Sequence, residues 1–237
     1  MSPALYNKVG REQRFTTYNT HSTDMRISSH IGRRLTKAVL LLSLSSALPV
    51  AATDIKEVWR TMPDSITPHL DKSLRGECVD IYDNKSTAKT TNKLKGESCI
   101  DTIAVGYLHA TISKAMTLEM KLLPSAVNGD TVVCVVKTYS TPQQESVIDI
   151  YDLKWQHIRH IDFATDSLVV KPDTMSQDNF SQAIRAMDSF IVSAQLSAED
   201  NCISVKANPL VTCITDMKIQ KAICLLRRFK WDGACFK

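Results

Sequence analysis

The apolar residues of this chain change period near Ile100, and that change constrains the fold more than any other feature. Upstream they recur every three to four residues. Ile55, Val58, Trp59 and Met62 form one helical stripe behind Asp54, which with Glu57 makes a capping-box-like start; Pro63 ends the helix. Leu70, Leu74, Cys78 and Ile81 keep helical spacing over Pro68–Asp83, interrupted by Gly76. Asn84–Ser98, with Lys85, Lys89, Lys93 and Lys95, reads as a solvated polar loop.

Downstream the period falls to two. Ile103, Val105, Tyr107, His109 and Thr111 share one face of an expected strand over Ile100–Ile112. Leu118, Met120 and Leu122 alternate with Thr117, Glu119 and Lys121. Asn128-Gly129 carries a type I′ hairpin signal. Thr131–Tyr139 is a nearly continuous β-branched run, and Thr141–Gln144 is a turn. Val147, Asp149 and Tyr151 alternate with Ile148 and Ile150, and Trp155–Ile161 supplies a further strand. The pattern is that of an antiparallel meander.

The order then recurs. Ser176 caps a helix with Phe180, Ala183, Ile184 and Met187 on one stripe. Strands are expected at Phe190–Leu196, Cys202–Ala207, Met217–Ile219 and Ile223–Trp231. The expected fold is α+β, with N-terminal helices packed on an antiparallel meander sheet. Similarity between "YDLKWQHI" and "FKWDGACF" suggests two related helix-plus-sheet halves, 53–170 and 171–237.

The first 52 residues read differently. Arg26, His30, Arg33, Arg34 and Lys37 precede the apolar run Ala38–Ala52, which closes on Val50-Ala51-Ala52. Basic, then apolar, then small is the pattern of a secretory signal. The run is shorter than the roughly 20 residues of a spanning helix and contains Pro49. We therefore expect residues 25–52 to be a signal peptide starting at Met25, residues 1–24 to be a start-site overhang, and residues 53–237 to be exported. No membrane span is expected after cleavage.

Charge has to be recounted on that basis. Residues 1–52 hold seven of the 29 Lys and Arg and two of the 25 acids, so the remainder carries 22 basic against 23 acidic residues. The basic footprint of a nucleic-acid binder is absent.

Motifs of chemistry are sparse. None points to a cofactor: the seven glycines form no phosphate-cradling cluster. Nor does any point to a metal. His157 and His160 in "WQHIRHID" would point to opposite faces of a strand. Asp80 and Asp83 are not a recognisable catalytic pair. No G-x-S-x-G occurs. Cys99 in "KGESCID", with His109 or His69 as base, is the one thiol arrangement to weigh, against a packing role. Seven cysteines, Cys78, Cys99, Cys134, Cys202, Cys213, Cys224 and Cys235, include no C-x-x-C. They read mainly as small buried hydrophobes, with one or two disulfides as the alternative. The aromatic residues read as core.

The stretches "VWRTMPDSITPHLDKSLRGECVDIYDNK", "MTLEMKLLPS", "DTVVCVVKTYSTPQQESVIDIYDLKW" and "FKWDG" resemble an uncharacterised family of exported proteins from Gram-negative anaerobes of the gut and mouth. The segment Met62–Leu70 and the "VVKTY" strand are its specific parts. The resemblance covers about Asp54–Lys237. It implies export and an α+β domain and brings no catalytic residue. The expectation is a cell-envelope protein, periplasmic or secreted, that binds an envelope protein or a glycan. The alternative is a hydrolase or thiol enzyme whose site no motif reveals.

Overall fold

The computed structural model describes residues 53–237 except 128, 141–142 and 212–216. Residues 1–52, where a signal peptide is expected, the Asn128 half of the hairpin signal, Thr141-Pro142 and Cys213 lie outside the described residues. Two helices come first, α1 (Ile55–Thr61) and α2 (Lys72–Asp83). Asp54 caps α1 by accepting from Lys56 N–H. Glu57 does not complete the box but pairs with Arg60 at 3.1 Å. The second helix starts later than its spacing suggests, with Asp71 as N-cap accepting from Ser73 and Leu74 N–H.

The intervening segment wraps a buried cation. Arg75 is wholly buried and donates to the carbonyls of Trp59, Met62 and Leu70, to Thr67 Oγ1 and to Asp64 Oδ1. A buried guanidinium is tolerable only with its donors satisfied, and here the chain from Trp59 to Leu70 satisfies them. The distinctive Met62–Leu70 stretch is thus a cradle that fixes α2 against α1.

The meander has seven strands in sequence order: β1 (Thr90–Thr91), β2 (Glu97–Ala104), β3 (Tyr107–Ser113), β4 (Met116–Pro124), β5 (Thr131–Tyr139), β6 (Glu145–Asp152) and β7 (His157–His160). Two expectations are corrected. Ile100–Ile112 is two strands, because Gly106 at φ 63° turns the chain between Ala104 and Tyr107. The polar loop holds β1, and Thr90, Asn92 and Ser98 are buried, Asn92 Nδ2 donating to Ser98 Oγ and to the Ile112 carbonyl.

Alternation gives this sheet two working faces. Ile100, Leu108, Ala110, Ile112, Leu118, Met120, Val133 and Val135 join Val58, Trp59, Met62, Leu70 and Val79 in the first core, under the helices. Each such Leu, Ile or Met side chain contributes about 1.5–3 kcal/mol on burial.

The opposite face meets a second, three-stranded sheet, ordered β10 (Leu226–Lys230), β9 (Cys202–Val211), β8 (Met187–Leu196). Tyr107, Leu123, Val132, Cys134, Val136, Ile148 and Ile150 pack there against Ala194, Leu196, Ile203, Val205 and Trp231. Two more helices, α3 (Gln177–Arg185, capped by Ser176) and α4 (Met217–Ile223), close a third small core around Ala183, Met187, Ile223 and Cys224. The strand expected at Met217–Ile219 is therefore helical, and the last strand begins at Leu226 rather than Ile223.

The "FKWDG" segment locks the chain end to the β4–β5 connection. Trp231 Nε1 donates to the Pro124 carbonyl at 2.6 Å, and Ala126 N–H donates to the Gly233 carbonyl at 2.9 Å. Gly233 has φ 100°, and a Cβ there would lie 2.8 Å from Ala126 Cβ. Only glycine fits. Among the described residues, no helix is long and apolar enough to cross a membrane.

Candidate functional site: the cleft between the sheets

The second face of the large sheet grades from apolar to polar. Tyr107, Lys121, Cys134 and Ile150 stand in one register row; His109, Glu119, Val136 and Ile148 in the next. The small sheet covers the apolar end. At the polar end His109, Thr117, Glu119 and Thr138 form one wall of an open cleft of about 410 Å³, and Ser193, Gln195, Ser204 and Lys206 help form the other.

The base of the cleft is a bracket between the sheets. β8 is an edge strand, and such an edge presents unpaired backbone groups. Side chains of the large sheet meet them at alternate residues. Ser146 Oγ accepts from Ala194 N–H at 2.9 Å, Glu119 Oε2 accepts from Leu196 N–H at 2.9 Å, and Lys121 Nζ donates to the Ala198 carbonyl at 2.9 Å. Glu119 Oε1 also accepts from Tyr107 O–H at 2.8 Å. Burial raises the Glu119 carboxyl above the ordinary range, offset in part by these two bonds. Burial likewise lowers Lys121 and raises the Tyr107 hydroxyl.

His109 enters this wall as an oriented ring. Its Nδ1 lies 2.9 Å from Asp101 Oδ2, which also accepts from Thr111 Oγ1 at 2.8 Å. In the neutral ring Nδ1 carries the proton and Nε2 is an acceptor. The structure brings Cys99 close as well, but onto the carboxylate: its Sγ–H donates to Asp101 Oδ1 at 3.4 Å. Burial first, then Asp101, pushes the Cys99 thiol up to about 11. A thiol so held is a poor nucleophile. His69, the other candidate base, sits between α1 and α2, where its carbonyl accepts from Lys93 N–H. Among the described residues no hydroxyl or thiol hydrogen-bonds the His109 ring.

A second hollow, about 630 Å³, lies between the end of α2, residues 85–90 and β2, and is lined by Cys78, Tyr82, Lys89, Cys99 and Asp101 among others. Cys78 is buried there with its thiol raised by burial, its Sγ 3.3 Å from Thr90 Oγ1. Asp80 and Asp83 form ion pairs with Arg60 and Lys56 on the helical surface. The six described cysteines are all free thiols, and Cys78, Cys134 and Cys224 are buried.

His157 and His160 do not point apart. A register shift between Ile150 and Tyr151 lets both rings reach one oxygen, Asp149 Oδ1, at 3.2 and 2.9 Å. Among the described residues no three His, Cys, Asp or Glu side chains are arranged to hold a metal ion. Sequence reasoning passed over Glu119, Lys121 and Ser146. Ser146 is in phase with Ile148 and Ile150 of its own strand, whereas Glu119 and Lys121 alternate with Leu118, Met120 and Leu122 and look solvent-facing in the sequence.

The chain belongs to a family described as protein of unknown function (DUF3256), whose profile matches residues 47–236. Among solved structures it is similar to a domain of an uncharacterised protein from Porphyromonas gingivalis W83, with 18% identity and a TM-score of 0.61, covering 77% of this chain and 98% of that one. That likeness shows a shared fold. No curated protein matches.

Proposed function

We propose that this chain is an exported cell-envelope protein that acts by binding, through the cleft between its two sheets, and does not transform what it binds. The observation that carries the reading is that the reactive groups in and beside the cleft are committed to protein partners. Glu119 is committed to Leu196 N–H and Tyr107, Ser146 to Ala194, and Cys99 to Asp101. What remains facing outward is a lining of hydroxyls, amides, the His109 imidazole and one ammonium group, suited to polar recognition. The basic, apolar, small pattern of residues 25–52 supports export. The partner is an envelope protein or a glycan.

One observation favours a second reading. Asp101, a partly exposed carboxylate, orients His109, and an imidazole so oriented is a base in search of a substrate. Such an enzyme would be a hydrolase using water as its nucleophile. Incubation of the purified protein with envelope glycan and peptide fragments, followed by mass spectrometry, separates the two. Binding predicts retained fragments of unchanged mass. Cleaved fragments, lost in His109→Ala, would establish the hydrolase.

A further inference from the structure

We infer that this cleft selects an acidic sugar, with Lys206 as the cation that receives its carboxylate; the inference rests on the binding reading above and names its ligand. Lys206 on β9 stands directly opposite Ser193 on β8, and both line the cleft half-buried. Directly opposite residues of antiparallel strands share a face, with Cβ atoms about 4.5–5.5 Å apart. The ion pairs among the described residues engage other cations, and the Lys206 ammonium has neither a counter-ion nor a hydrogen-bond acceptor there. Ser193 Oγ accepts from Asn208 Nδ2 at 2.8 Å, so its own O–H is left to donate, with no acceptor among the described residues. An ammonium and a hydroxyl proton side by side, both without an acceptor, complement the two oxygens of one carboxylate.

The surroundings do not cancel that charge. Glu119, the acid of the lining, spends both oxygens on Leu196 N–H and Tyr107 O–H, and burial favours its neutral form. Asp101, outside the lining, is engaged by His109 and Thr111. Arg228 and Lys230 share the Lys206 face of the small sheet, and Asp200 there pairs with Arg228. The rest of the lining fits a sugar: Thr117, Gln195 and Ser204 carry groups that donate and accept, as sugar hydroxyls do. The volume of about 410 Å³ lies at the small end of ligand pockets and suits a sugar unit rather than a protein face. Competing acids fit worse. An extended acidic peptide docks by pairing with an open strand edge, and the β8 edge is already held by Ser146 and Glu119. A phosphate, with more charge, calls for more than the one ammonium of the lining.

The test is a titration of the ¹⁵N-labelled protein with glucuronate, with glucose, acetate and an aspartate-containing peptide in parallel at matched ionic strength. We expect glucuronate to shift the amides of Ser193, Ser204 and Lys206 and to bind about tenfold more tightly than glucose, the worth of one hydrogen bond to a charged group. Lys206→Gln removes that preference and leaves glucose binding unchanged, while Lys206→Arg keeps it. In the native protein, added salt weakens glucuronate and spares glucose, a check that needs no variant. If glucose binds as tightly as glucuronate, or the preference survives Lys206→Gln, the acid assignment falls and the binding reading stands. If acetate matches glucuronate, or the peptide binds more tightly, the sugar assignment falls. If no ligand moves these amides, both the inference and the binding reading fall.

Discussion

Trp59 and Arg75 hold each other's backbone. Trp59 Nε1–H donates to the Arg75 carbonyl at 3.0 Å, and Arg75 Nε–H donates to the Trp59 carbonyl at 3.2 Å. Both side chains are fully buried. Arg75→Met leaves the Met62 carbonyl without its donor, takes one of two donors from the Trp59 and Leu70 carbonyls, frees the half-exposed Asp64, and costs about 1–3 kcal/mol. Trp59→Phe removes one bond of the pair and costs about 1–3 kcal/mol. Because the two act on the same clasp, the double variant loses less than the sum. Urea unfolding of the three variants checks this; strict additivity would show that the clasp is not a unit.

Gly233→Ala tests the closure of the chain end. The new Cβ meets Ala126 at 2.8 Å in a backbone conformation that costs a non-glycine residue about 1–3 kcal/mol. The thermal midpoint falls, and Trp231, bonded to Pro124, reports the loosening by its fluorescence. An unchanged midpoint and emission spectrum would contradict a fixed turn.

Glu119 gives the fold a pH signature. Its folded-state pKa is raised, so its contribution is fully present below the unfolded value of about 4.3 and is lost as pH rises through the folded value. Glu119→Gln keeps an acceptor for Leu196 N–H and removes the titration. The stability of the native protein relative to Glu119→Gln therefore declines as pH rises above 4.3. Denaturation of both proteins across this range measures it; a difference that grows with pH would reverse the assignment. Glu119→Ala, which leaves Leu196 N–H unpaired, is destabilised at every pH.

Cys99 reacts slowly with iodoacetamide in the native protein near neutral pH, because its thiol is held at about 11. Asp101→Asn removes a charge that raises that value and speeds alkylation. His109→Ala leaves the rate unchanged, since the ring does not touch the thiol. Mass spectrometry of the labelled peptide reads all three. Fast native labelling that depends on His109 would support the thiol enzyme instead.

The pairing of His157 and His160 with Asp149 shows where sequence reading ran out. Their spacing places them on opposite faces of a regular strand, and only the bulge brings both to one carboxylate. The meander itself was legible, because the half-buried strands alternate and Thr131–Tyr139 is β-branched throughout. The break at Val105-Gly106 was hidden, since the alternation runs through it unchanged. The helix over Met217–Ile223 was read as part strand because it is too short to show a period. Arg75 lies outside the apolar stripe read for this helix, although its spacing of four from Val79 places both on the buried side of α2. The cleft depends on register across β2–β6 and on where β8 crosses, and neither is written in any local stretch.

The cleft between the sheets is proposed to bind a ligand without transforming it. The most direct measurement is a ¹H–¹⁵N correlation spectrum of the purified protein, recorded through a titration with soluble envelope glycan fragments and read beside the mass of the recovered fragments. Shifts gathered on His109, Thr117, Thr138, Gln195 and Ser204, with every fragment recovered intact, are the expected result. Shifts gathered instead around Tyr82, Lys89 and Cys99, or fragments cut during the titration, would contradict it.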